Sequence, residues 1–274
     1  MLQNKSVQHL FNFLNASVSP FHTVSHAQDQ LEAAGFQALD FKEPWVLVPG
    51  NAYYCRTFSG ELFAFKLGKE LKLRNGIRIA GGHTDWPCMK LKPAPAFTQK
   101  GYLQANVEVY GGPILNTFFD RPLSIAGKIS VRSNDLLHPQ IRYIDLKKPV
   151  CIIPNLAIHM NRKVNEGVAI DQQAHLMPIL GMVEEKLNQG DMLLDYIASH
   201  ENIDPKDLLD YELYLYNLDA PAAIGLNDEL ISSPRLDDTT AVSAIIHGLI
   251  ESTPSDTLCL GALFDNEEIG SRTK

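Results

Sequence analysis

Three short segments, far apart in the chain, carry side chains able to hold a metal ion and activate water. They are Gly81-Gly82-His83-Thr84-Asp85, Pro234-Arg235-Leu236-Asp237-Asp238 and Phe264-Asp265-Asn266-Glu267-Glu268-Ile269-Gly270. A hydrolytic zinc centre needs imidazole and carboxylate ligands, an open position for water, and a nearby carboxylate to take that water's proton. One histidine, one aspartate and an adjacent pair of glutamates supply those types, and the two glutamates can divide the tasks of ligand and base. Asp85, two residues past His83, is spaced to accept a hydrogen bond from the second ring nitrogen and fix the imidazole. Taken singly, each residue has a simpler reading: His83 as a loop or core histidine, Asp237 as a helix N-cap, Glu267-Glu268 as a solvated face. The order His-x-Asp, Asp, Glu-Glu gives metal-dependent hydrolysis its weight.

Such residues act together only if the fold gathers them. His83 follows an apolar run at 76–80 that reads as a short buried strand, and the glutamates follow another at 257–264. Asp237 precedes Ala241, Ile245 and Leu249, which share one helical face. In open α/β sheets ligands collect at the carboxyl ends of strands, where these segments would meet. Upstream, Val7, Leu10, Phe11 and Leu14 make one helical stripe, and Val24, Ala27, Leu31 and Ala34 a second that ends at Gly35. Runs at 52–58 and 61–67 around Ser59-Gly60 predict a hairpin. From 89 to 231 the texture changes to strand-like runs at 102–110, 124–131, 141–144, 150–153 and 212–218, with helical character only at 192–200 and 183–187. The chain is therefore expected to be an α/β domain in two parts, 1–88 and 232–274, interrupted by a β-rich insert, 89–231.

Composition narrows the partners. With 24 basic against 32 acidic residues the net charge is −8, which argues against general binding to nucleic acid or an anionic membrane. Cys55, Cys88, Cys151 and Cys259 form no Cys-x-x-Cys pair, so neither a structural zinc nor a disulfide framework is expected, and a reducing, cytoplasmic setting is. The first residues lack an apolar signal core, and no run reaches the roughly 18 residues of a membrane span.

Gly-Gly-His83-Thr-Asp85, Ile153-Pro-Asn-Leu-Ala-Ile-His159-Met-Asn-Arg162, Ser233-Pro-Arg-Leu-Asp237 and Phe264-Asp-Asn-Glu-Glu-Ile-Gly-Ser271 together resemble the marker segments of the aspartyl aminopeptidase family. The resemblance runs from the N-terminal helices to Lys274. It implies an α/β zinc-peptidase-like catalytic domain interrupted by a β-rich dimerisation domain. It also implies two zinc ions, removal of N-terminal Asp or Glu from peptides, and homo-oligomers as large as dodecamers. Carried over by position, His83 binds one metal, Asp237 bridges the pair, Glu268 binds the second and Glu267 is the general base, with Asp85 supporting His83. His159 is implied to be either a zinc ligand or a residue reaching a neighbouring subunit's substrate pocket, where an imidazole can stabilise an oxyanion.

The chain departs from that pattern in places. Trp86 stands where the family commonly has a small residue, and Asp238 where Asn is frequent. Beyond Glu268 only six residues follow, none of them Asp, Glu or His, whereas the family supplies a further Asp ligand, a His ligand and basic substrate-side groups. The expectation is a catalytic domain incomplete at its C-terminus, weak as a peptidase, with the strand at 257–264 left on an exposed sheet edge. Two other readings share these residues: a different two-metal amidohydrolase, such as a deacylase or carboxypeptidase, and a non-catalytic assembly remnant.

Overall fold

A computed structural model describes residues 4–135, 137–183 and 192–270. The chain forms two compact units, Met1–Trp86 with Asp219–Lys274, and Pro87–Leu218. Sequence texture places the junctions at 88/89 and 231/232. The segment 219–231 instead goes with the first unit, because its β-propensity is spent on a small hairpin there and not on the large sheet of the second.

The first unit opens with α1 (Lys5–Ala16) and α2 (Pro20–Ala33). Asn4 caps α1 by accepting from the Ser6 N–H at 2.9 Å, and Ser19 caps α2 ahead of Pro20, whose fixed φ suits a first helical position. Gly35, at φ 85°, ends α2. There the Phe36 N–H reaches the Leu31 carbonyl at 3.0 Å and the Gly35 N–H reaches that of Glu32 at 2.9 Å, satisfying carbonyls the helix leaves open. Strands β1 (Gln37–Leu39), β2 (Ala52–Cys55), β3 (Leu62–Leu67) and β4 (Ile77–His83) follow. The expected hairpin is β2–β3, antiparallel from Ala52↔Lys66 to Cys55↔Phe63.

The second unit is an antiparallel sheet of β5 (Cys88–Gln99), β6 (Tyr102–Tyr110), β7 (Leu123–Val131), β8 (Gln140–Asp145), β9 (Ile179–Met182) and β10 (Leu208–Asn217), in the order β8-β7-β10-β5-β6-β9. Its core gathers Met89, Leu123, Ile125, Ile129 and Leu213, with Leu193 and Ile197 from α3 (Met192–His200). Strand β5 escapes a sequence reading because Pro93 and Pro95 lack the N–H a ladder needs, and its pairing with β6 skips from Leu91 to Ala96. The run at 150–153 makes only isolated pairings, Leu123↔Cys151, Ile152↔Ile179 and Phe119↔Ile153. Of the helix expected at 183–187, all but Val183 falls outside the described residues.

The chain returns through β11 (Ala222–Ile224), β12 (Leu230–Ser232), α4 (Leu236–Glu251) and β13 (Leu258–Phe264). Strands β11 and β12 pair with each other, and β13 completes a five-stranded sheet ordered β1-β2-β3-β13-β4, antiparallel to β3 and parallel to β4. Phe13, Val24 and Leu31 of the N-terminal helices and Val242, Ile246 and Leu249 of α4 pack with Leu62, Ala64 and Leu263 of this sheet. Two expectations are corrected here. Strand β13 is not at the edge, since it sits between β3 and β4. Strand β4 is not buried: Ile77 is 50% and Ile79 65% exposed, and β13 is its one neighbour among the described residues. An apolar run looks the same to a sequence reading whether or not the fold covers it. No described helix is long and apolar enough to cross a membrane.

Candidate metal centre

Parallel pairing of β4 and β13 brings two of the three segments together. His83 ends β4 and lies beside Phe264, which ends β13, so both strands deliver their following residues at one end of the sheet. Thr84 locks that exit: its N–H donates to the Phe264 carbonyl at 2.8 Å and its hydroxyl to the Gly60 carbonyl at 2.7 Å. The glycine before His83 is a packing requirement. A Cβ on Gly82 would lie 2.9 Å from Asp238 Oδ2 and 3.1 Å from the Ile245 side chain, so a larger residue there would displace the Asp238 carboxylate that holds the His83 N–H.

Asp85 is fully buried and ties the cluster together. Its two carboxylate oxygens accept the N–H groups of Glu267 and Glu268, at 3.3 and 3.2 Å, and Oδ1 stands 3.4 Å from His83 Nδ1. The ring nitrogen is also 3.1 Å from the Asp85 carbonyl. Asp237 and Asp238, at the head of α4, leave helical geometry and are joined by a cis peptide. Asp237 Oδ1 then lies 3.3 Å from His83 Nε2, while Asp238 Oδ2 accepts the His83 N–H at 3.1 Å. Glu267 Oε2 is 4.0 Å from the same ring nitrogen. The hydrogen bond to Asp85 raises the pKa of His83 to about 9 against the effect of burial, with the charges of Asp85 and Asp238 adding to the rise. Glu268 is also raised, by burial first; His83 lowers it, and Asp85, Glu267 and Asp237 raise it further. Carboxylates crowded round one imidazole in this way have a local charge that a divalent cation would balance.

The donor set fits zinc. Ligand atoms of His83, Glu267 and Glu268 all lie within 4.8 Å of one another. Tetrahedral zinc with ligands at about 2.0–2.1 Å separates them by roughly 3.3 Å. The 3.3 Å between His83 Nε2 and Asp237 Oδ1 matches that spacing.

His83, Asp85, Asp237, Glu267 and Glu268, all singled out by sequence, thus occupy one cluster. His159 belongs to the other unit, on an exposed turn. Sequence reasoning missed the grip of Asp85 on the two glutamate N–H groups and that of Asp238 on His83. Side-chain bonds to backbone over 182 and 155 residues leave no periodicity to read.

Residues 13–274 match the model of the aminopeptidase I zinc metalloprotease family, M18. The chain is 40% identical over 271 residues to a probable M18 family aminopeptidase 2 of Clostridium novyi, covering 98% of this chain and 63% of the relative. A structure of the Ape4 and Nbr1 complex superposes with a TM-score of 0.92 at 32% identity, over 98% of this chain and 55% of that one. The S. cerevisiae mApe1 dodecamer does so with a TM-score of 0.82 at 25% identity, over 98% and 62%. The chain therefore spans less than two thirds of the relatives it matches. The family's description as zinc metalloproteases agrees with a cluster built of one imidazole and converging carboxylates, and the chain belongs to the M18 family.

Proposed function

We propose that this chain provides the water-activating part of an aminopeptidase site that removes N-terminal Asp or Glu from peptides. The observation that carries this reading is the gathering of Glu267 and Glu268 with His83, whose ring also meets Asp237, while Asp85 is buried beside them. His83 and Glu268 would each hold one of two zinc ions and Asp237 would bridge them, leaving further ligands to the part of the M18 fold outside this chain. A zinc pair held there polarises the scissile carbonyl and lowers the pKa of a water molecule.

The protein's own groups do the rest. Glu267 is exposed and Glu268 half-buried, so Glu267 is the carboxylate with room to exchange protons with a substrate. It takes the proton from the water as oxygen bonds to the carbonyl carbon, then passes it to the departing amine nitrogen as the C–N bond breaks. Asp85 holds the His83 ring throughout. The preference for acidic residues rests on likeness to the aspartyl aminopeptidases, including the segment Pro154-Asn155-Leu156-Ala157-Ile158-His159. Leu156, Ile158 and Met160, beside His159, are 58%, 51% and 69% exposed, which suits a surface that meets a second copy of the chain, as in the mApe1 dodecamer.

The division of roles is tested by two substitutions in a chain completed with the remaining M18 sequence. Glu267→Gln should keep its zinc and lower turnover roughly 10²-fold or more, whereas Glu268→Gln should lose zinc as well. Equal zinc loss in both would refute the assignment. Release of Asp or Glu from free but not acetylated peptides separates an aminopeptidase from other amidohydrolases.

A further inference from the structure

Trp86 directly follows Asp85, and its ring is only 5% exposed. Over that ring, 5.6 Å from its centre, lies the guanidinium of Arg235, two residues before Asp237. Arg235 is held from two other sides. Its backbone is left-handed at φ 65°, a conformation that few side chains adopt unless their surroundings impose it. Its Nη2 donates to the Leu14 carbonyl at 3.3 Å. Leu14 sits in the last turn of α1, where carbonyls lack helical partners and a cation is favoured.

The segments that carry His83 and Asp237 are therefore joined twice, once by the Asp238 carboxylate on the His83 N–H and once by the Trp86–Arg235 stack. Asp237 itself is 87% exposed, so it has little packing of its own to fix its place. We propose that Trp86 and Arg235 act as positioning residues whose stack sets the Asp237 carboxylate against His83, and so sets the metal affinity of the site. The inference rests on the metal-site reading above. A planar guanidinium on an aromatic face, anchored to a helix end, is directional, whereas the same volume filled with aliphatic groups would leave the turn before Asp237 free to shift.

The test uses the chain completed with the remaining M18 sequence, with zinc and cobalt(II) as probes. Zinc affinity is measured by chelator competition, the cobalt site by its visible absorption, and folding by circular dichroism. Trp86→Ala and Arg235→Gln should each weaken zinc by about 10–100-fold and change the cobalt band, as loss of a ligand-orienting group does. Trp86→Phe, which keeps a ring under the guanidinium, should restore both towards wild type. The double variant Trp86→Ala/Arg235→Gln should be no weaker than the weaker single one, since each breaks the same contact. Folded variants with wild-type affinity and spectrum would overturn the proposal, as would equal losses for Phe and Ala at position 86. Should Trp86→Ala fail to fold, Arg235→Gln and Trp86→Phe decide the matter. His83→Ala separates the two levels: if it binds zinc as well as wild type, the metal-site reading falls and this inference with it. If zinc depends on His83 but not on Trp86 or Arg235, only the positioning role falls.

Discussion

A carboxylate removed from water costs several kcal/mol unless charge and hydrogen bonds replace its hydration. Asp85 meets that condition with two backbone N–H donors and an imidazole, so its burial and the shape of the site are one arrangement. Asp85→Ala should therefore do two things together. It strands two N–H groups, lowering stability by about 1–3 kcal/mol by chemical denaturation, and it frees the His83 ring, weakening zinc roughly 10-fold or more by chelator competition. A loss of stability with zinc affinity unchanged would show that the ring is oriented by something else. The residue types that the fold gathers at this site, and their order, were legible in the sequence because hydrolytic chemistry restricts which side chains serve. The approach of Asp85 to the His83 ring was legible too, being local, but the other supporting bonds were not, since Asp85, Asp238 and Arg235 also act on groups that only the fold brings near.

Helices proved the most legible elements. Apolar spacing and Gly35 located α1 and α2 because these signals are local. Whether a strand is covered, as with β4 and β13, depends on sheet order and leaves no such trace. The helices also carry a feature that periodicity hides: His9 of α1, His26 of α2 and His247 of α4 lie in one helical layer, the rings of His9 and His247 being 5.0 Å apart. Burial lowers the pKa of His9 below 6.5, helped by His247. Burial also lowers that of His26, with Asp29 opposing and His9 adding. Because both folded values lie below the unfolded value, the unfolded chain binds protons first as pH falls. The stability these groups permit is complete above about pH 6.5 and declines below it. The thermal midpoint should accordingly drop as pH is lowered from about 6.5, and His26→Gln should flatten that drop; parallel profiles for the two proteins would exclude this source.

At the scale of the whole molecule, the sheet of the first unit ends, among the described residues, on a strand without the cover its side chains call for. Ile77 and Ile79 are exposed on β4, and a groove of about 360 Å³ beside it is lined by Ile79, Ile245, Leu249 and Leu260. Unpaired apolar edges recruit other strands. Residues 1–274 alone should thus aggregate in a concentration-dependent way by light scattering, and Ile79→Lys should suppress it while leaving circular dichroism unchanged; no gain in solubility would clear this edge. The same pairing of β4 with β13 has a consequence in time. His83 and Phe264 are neighbours in the sheet, yet roughly 180 residues separate them along the chain, so at about 5–20 residues per second His83 leaves the ribosome some ten to forty seconds before its strand partner exists. The second unit, made wholly within that interval, can fold first. The candidate metal centre is then assembled late, and until β13 arrives the strand carrying His83 waits with both edges open, at the stage when a nascent chain depends most on whatever shields it.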